Sequence, residues 1–216
     1  MDQRLEGVAV AHAVNVLLSG LFHASVLFLV AAGLQVVFGV QKIFNLACGS
    51  FYALGAYTGV SAVGWYVGAG GPPALFIVPL ALAIGWLLTR TAFGRIIRAT
   101  ADNREMAEAL GVDMRRVYAK VFTLGTALGT LGGALVIPAT AAMSEMGIDL
   151  IVEAFAVVVI GGLGSMRGAF IGALVVGILR AIAISVYPEL EMLLIYLIVI
   201  AVLVARPRGL FGGAAA

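Results

Sequence analysis

Two stretches of the chain carry no charge at all, and they fix what it can become. Gly7–Gln41 has no Asp, Glu, Lys or Arg, and neither has the 47-residue run Ile43–Thr89. A helix crosses the hydrocarbon core of a bilayer with about 20 apolar residues, so the longer run holds two spans. Its break falls at Gly68-Ala69-Gly70-Gly71-Pro72-Pro73, through which no helix continues. Shorter clean runs follow at 121–144, 154–166, 168–179, 181–188 and 192–205. The pattern predicts an all-α, polytopic transmembrane helical bundle, one domain over residues 1–216, with about seven spans (six to eight). They fall near 13–40, 44–66, 73–89, 118–139, 151–165, 168–187 and 191–205. The fifth is short, ends in Gly161-Gly162-Leu163-Gly164-Ser165, and reads as a re-entrant or broken helix.

Composition closes the soluble alternatives. Hydrophobic residues are 62% and charged residues 11% of the 216, and mean hydropathy is +1.12. Twenty-four charges cannot cover the surface of a soluble protein this size. A net charge of +2 is too small for a nucleic-acid partner. The lone Cys48 allows no internal disulfide, and with His12 and His23 it makes no zinc site, so no metal is expected. The first apolar run follows no positive n-region and reads as a retained span, not a signal peptide. Small residues spaced four apart recur, as at Gly55/Gly59, Gly125/Gly129/Gly133 and Gly164/Gly168/Gly172, and point to close helix packing.

Lysine and arginine orient the spans. Seven of the 13 basic residues lie in 90–120, and Arg206 and Arg208 mark the tail. Both segments are assigned to the cytoplasm. The acidic links Glu145/Asp149/Glu153 and Glu189/Glu191 are assigned outside, which puts the N-terminus outside and the C-terminus in the cytoplasm.

No catalytic set emerges. Neither Lys42 nor Lys120 sits in a Gly-x-x-x-x-Gly-Lys-[Ser/Thr] phosphate loop, so ATP would be held by another chain. The Gly162-Leu163-Gly164-Ser165 stretch invites a serine nucleophile, but no histidine lies in the second half of the chain. His12 and His23, eleven residues apart, share one face of the first helix and read as packing residues. Polar groups inside a membrane are costly and often functional. Asn45, Cys48, Ser50, Tyr52, Glu153 and Arg180 are therefore the candidates for a translocation path, Arg180 either pairing with a carboxylate or snorkelling.

The loop at 90–117 is longer than a connector requires. Its centre predicts a short surface helix. Asp102 stands at the N-cap, Glu105 completes a capping box, Gly111 takes the left-handed end, and Asp113 caps the helix that re-enters the membrane. Met106, Ala107 and Leu110 are placed on one side, Arg104, Glu105 and Glu108 on another. Such a helix either docks in a partner's groove or rests on lipid headgroups.

These residues also resemble a family. Phe93-Gly94-Arg95-Ile96-Ile97-Arg98-Ala99-Thr100-Ala101-Asp102-Asn103, continuing through Glu105–Val112, is similar to the cytoplasmic coupling loop of permease subunits of branched-chain amino acid ABC transporters. The segments 39–57, 154–169 and 206–212 resemble that family in the same order. The resemblance implies a permease of the inner (plasma) membrane whose coupling helix (Asp102, Arg104, Glu105, Met106, Ala107, Leu110, Gly111) docks on ABC ATPase subunits. Those subunits would hold ATP and Mg, and this chain would bind no cofactor. Further implied partners are a second permease subunit, identical or related, an extracytoplasmic substrate-binding protein, and the lipid bilayer.

Three departures stand beside the likeness. Cys48 and Ser50 replace the family's usual His and Glu, Met106 replaces Ala, and the chain is short, with the missing part near Gly71–Leu88. Branched-chain amino acids are the implied cargo. A permease for urea or short amides, an ATPase-independent transporter or channel, and a non-transporting shortened copy remain alternatives.

Overall fold

The computed structural model describes residues 2–68, 91, 95–97, 99–100, 103–137, 143, 145–187, 189, 191–207 and 209–211. Among them the elements are α-helical: α1 (Asp2–Gln41), α2 (Ala47–Gly68), α3 (Arg104–Ala109), α4 (Met114–Val136), α5 (Met146–Gly161), α6 (Met166–Val186) and α7 (Glu191–Ala205). Ala11–Gln41, α4 and α6 are long and apolar enough to cross a membrane, and Leu193–Ala205 is a shorter apolar helix. The expected span at 73–89 and the glycine–proline break before it lie outside the described residues. So does the whole stretch near Gly71–Leu88 where the chain is expected to be shortened.

Helix ends follow local chemistry. α1 runs without interruption to Gln41 and stops because Lys42 turns left-handed, at φ 57. For a residue with a Cβ that conformation costs about 1–2 kcal/mol, so the packing around Lys42 must hold it. Phe38 and Phe44 stack across the break, their centroids 4.6 Å apart, and the Lys42 Nζ sits 5.8 Å from the Phe38 ring. α5 is 16 residues long, about 24 Å, which is short of a full crossing. It ends in a turn that Gly162 (φ 97) and Gly164 (φ 83) make possible. Ser165 then caps α6, its hydroxyl accepting from the Gly168 N–H at 3.1 Å. That bond gives Ser165 a structural task in place of a nucleophile's.

The chain divides into two compact units, Met1–Ala32 with Val152–Ala216, and Gly33–Ile151. In the second, α2 lies along α4, and glycines bring backbone against backbone. A Cβ at Gly55 would strike the Thr130 carbonyl, and one at Gly133 the Tyr52 carbonyl. At Gly59 it would meet the Ala134 Cα at 2.8 Å. α1 joins this packing where Gly33 faces the Gly125 carbonyl, at 2.6 Å from an added Cβ. Gly49 and Gly147 meet in the same way, so the start of α5 lies against the start of α2. The sidedness derived from charge, with residue 44 inside and Glu145–Glu153 outside, does not anticipate that contact; α5 is too short for its two ends to mark opposite faces by length alone.

In the first unit, α1 packs on α6 through Gly20 and Ala24, which meet Ala181 and Gly177, and through an edge-on Phe28–Phe170 pair at 5.3 Å. α5 and α6 form a hairpin closed at Gly161 and Gly168. Their shared turn also holds the tail. The Leu210 and Phe211 N–H groups donate to the Ile160 and Gly161 carbonyls at 2.8 and 3.0 Å, and Gly209 (φ 77) lies on Gly162. These bonds satisfy carbonyls that the end of α5 would otherwise leave bare.

Gly133→Val is expected to lower the apparent unfolding temperature of the detergent-solubilised chain, by the equivalent of about 1–3 kcal/mol of overpacking. Gly64→Ala, where an added Cβ meets nothing within 4 Å, should leave it unchanged or raise it slightly.

Candidate functional site

The charged loop contains the short helix that its sequence promised, with one shift of register. The N-cap is Asn103, not Asp102, which lies outside the described residues. Asn103 is extended (φ −148, ψ 102), and its Oδ1 accepts from the Met106 N–H at 3.0 Å. A cap at 103 places the accepted N–H at 106, three residues on, as the geometry of a first turn requires. The other end is a Schellman closure: Gly111 N–H to Glu108 O at 3.0 Å and Val112 N–H to Ala107 O at 3.1 Å, with Gly111 at φ 83. Asp113 caps α4 as expected. Its Oδ1 accepts from the Arg116 N–H at 3.2 Å, and its Oδ2 pairs with Arg116 Nε at 3.0 Å.

The face that α3 presents also differs from the expected one. Ala107 is buried, at 4% exposure, whereas Met106 (59%) and Leu110 (78%) are exposed, as are Arg104, Glu105 and Glu108. Ala107 therefore seats the helix on its own chain, and Met106 and Leu110, one turn apart, form the outward apolar pair. Arg104 lies over the Tyr118 ring at 5.3 Å, and the Tyr118 carbonyl accepts from Gln41 Nε2 at 2.9 Å. The surface helix is thus tied through the first turn of α4 to the end of α1.

The candidates around the start of α2 do not share one face. Cys48 and Tyr52 are buried, with the Cys48 thiol 3.9 Å from the Gly125 carbonyl and the backbones of both residues against Gly129 and Gly133 of α4. Ser50 is exposed on another side of the helix. Asn45 is buried in the break before α2, where its carbonyl accepts from the Cys48 N–H at 3.2 Å.

Glu153 and Arg180, by contrast, are brought together. Arg180 Nη1 donates to Glu153 Oε2 at 2.8 Å, with Glu153 8% exposed and both side chains largely covered. Of the two readings of Arg180, pairing is the one realised. The third member was missed by sequence reasoning. His23 Nε2 lies 3.0 Å from the same Glu153 oxygen and also meets Arg180 Nη1. Eleven residues earlier, His12 Nε2 contacts Ser185 Oγ at 2.9 Å. The two histidines do share a face of α1, but that face carries a polar seam against α6 in place of plain packing. The signal available was the shared face itself, opposite a span containing Arg180.

A family model described as branched-chain amino acid transport system / permease component matches residues 59–203. The chain belongs to this family. It is 33% identical over 158 residues to the high-affinity branched-chain amino acid transport system permease protein LivH of Escherichia coli K12, an alignment covering 72% of this chain and 48% of the relative. The corresponding BraD permease of Pseudomonas aeruginosa is 29% identical over 64% of this chain and 46% of its own length. The autoinducer 2 import system permease protein LsrC of Klebsiella pneumoniae is 38% identical over 55% of this chain and 33% of its own. The chain spans about half the length of the branched-chain relatives it matches. No solved structure matches it. As a member of this family, it is a transmembrane permease chain of the ABC transport class.

Removing either end of α3 should loosen it without unfolding the spans. Asn103→Ala is expected to cost about 1 kcal/mol, and Gly111→Ala, forced to a positive φ, about the same. Hydrogen exchange of the amides at 104–112 should rise severalfold in each variant while exchange within α4 stays at the wild-type rate.

Proposed function

We propose that the chain is the membrane-spanning subunit of an ABC importer for branched-chain or related amino acids, driven by ATP hydrolysed on separate subunits that hold ATP and Mg. The observation that carries this reading is the outward Met106–Leu110 pair on a doubly capped six-residue helix. An apolar pair held rigidly on a charged loop, flanked by Arg104, Glu105 and Glu108, has the form of a key for a groove. Asn103 and Gly111 fix its ends, Ala107 seats it, and the Arg104–Tyr118–Gln41 chain connects it to α4 and α1. Nucleotide-driven movement of the ATPase subunits would then be passed to two spans by packed contacts, which switch between discrete arrangements and do not deform smoothly.

Two permease chains, identical or related, would enclose the path, with substrate delivered by an extracytoplasmic binding protein. The N-terminus would lie outside and the C-terminus in the cytoplasm, at the inner (plasma) membrane. The basic residues around α3 support that sidedness. The two branched-chain relatives support the amino-acid cargo. The autoinducer 2 relative supports a second reading in which the solute is an autoinducer.

The test is recovery of partners with the tagged chain from mild detergent. ABC ATPase should co-purify stoichiometrically and be lost from Met106→Asp/Leu110→Asp, a variant that changes only exposed side chains and is expected to keep wild-type expression. A stable chain that brings down no ATPase would remove the importer mechanism, and an aggregated or degraded one would support a shortened copy without transport.

A further inference from the structure

α4 carries its charge where a helix tolerates it least. Arg115 and Arg116 stand in its first turn and Lys120 in its second, and all three are exposed. The positive end of the helix dipole lies there, so the fold itself disfavours cations at these positions. Arg116 and Lys120, four residues apart, also repel each other along one side. Asp113 answers one of the three. Its Oδ2 meets Arg116 Nε at 3.0 Å, with both side chains still more than half exposed. Arg115 and Lys120 have no ion-pair partner among the described residues. The group keeps a surplus of positive charge that nothing in the packing explains.

Depth decides what can answer that surplus. From Val121 to Val136 α4 has no charged residue, a length of about 24 Å. Val117, Val121, Gly125 and Leu128 are buried on its inward side, and Phe122, just past Lys120, is 41% exposed on another. Arg115 lies about 7.5 Å farther along the axis than Lys120. The headgroup layer on one side of a bilayer is about 5–8 Å thick. The three cations thus span one headgroup layer, and Phe122 begins the acyl region below it. Successive residues turn by about 100°, which sets Ala119 and Thr123 between Arg115 and Lys120 on the exposed side. Both are small and leave the face open.

We propose that Arg115, Arg116 and Lys120 form a site for an anionic phospholipid, which they hold by its phosphate while an acyl chain lies along Phe122. The two guanidinium forks suit phosphate oxygens, and the Lys120 ammonium adds a point charge beside them. The headgroup must carry net negative charge, because a zwitterionic one brings its own ammonium and leaves the surplus unanswered. An acidic protein surface could reach Arg115 from the water, but Lys120 and Phe122 lie deeper, at the level of lipid. The site also bears on α3. Only Val112 and Asp113 separate the closure of α3 at Gly111 from the start of α4, so a headgroup fixed on this turn sets the height at which α3 stands above the membrane. The inference goes beyond the proposed function and depends on neither its cargo nor its ATPase.

The test is lipid retention by the tagged full chain. The chain is equilibrated in mild detergent with equal amounts of phosphatidylglycerol and phosphatidylcholine of the same acyl chains and washed, and the bound lipid is quantified by mass spectrometry. Phosphatidylglycerol is expected to be retained about tenfold over phosphatidylcholine at about 0.1 M salt, and the preference should fall towards parity at about 1 M. Arg115→Gln/Lys120→Gln should abolish it while keeping the wild-type unfolding temperature in phosphatidylcholine. Arg167→Gln/Arg206→Gln, which removes two exposed cations elsewhere, should keep it. A wild-type chain without the preference would overturn the site. So would a preference that survives Arg115→Gln/Lys120→Gln, or one lost equally from both double variants. ATPase co-purification lost from Arg115→Gln/Lys120→Gln with lipid retention unchanged would assign these cations to the protein partner and overturn the lipid site.

Discussion

Backbone-to-backbone approach at glycine is the contact on which the described structure depends. Between apolar helices in lipid there is no hydrophobic gain to drive association, so dispersion and close fit must do it. Gly55 on Thr130, Gly133 on Tyr52, Gly33 on Gly125 and Gly161 on Gly168 bring main chains to distances that any side chain would forbid. Other features of the chain hang on these joints. Cys48 and Tyr52 are buried because α2 is pressed onto α4, and the α5–α6 turn can receive the tail because its two arms meet at glycine.

What the sequence disclosed, and what it hid, divides by distance along the chain. Charge-free runs predict helices that cross a membrane, and α1, α4 and α6 have the length and apolarity for it. Local signals did nearly as well: Gly111 ends α3, Asp113 caps α4, and the spaced glycines of α2 and α4 lie at close contacts. The small errors there are errors of rotation. Two adjacent polar residues, Asp102 and Asn103, each satisfy the cap pattern, and only the backbone at 103 selects one. Ala107 was grouped with Met106 because both are apolar, yet successive positions on a helix point about 100° apart, and the smaller residue is the one that fits inward.

The His23–Glu153–Arg180 cluster was hidden for a different reason. Its members are 130, 27 and 157 residues apart in pairs. No periodicity or cap links them, and each alone has an ordinary explanation as a packing histidine, a helix-start carboxylate or a snorkelling arginine. A single charge on a span is informative only once its counter-charge is known. Family membership did not reveal the pairing either, since likeness along the chain says which segments correspond and not which side chains meet.

The ion cluster of α1, α5 and α6 and the short helix α3 differ in what surrounds them. The short helix α3 is exposed, capped at both ends and seated by a single alanine, with its apolar pair left bare. The His23–Glu153–Arg180 cluster is by contrast largely covered, with Glu153 facing both of the other two. Removing one partner of such a covered pair would leave an uncompensated charge, typically 3–5 kcal/mol.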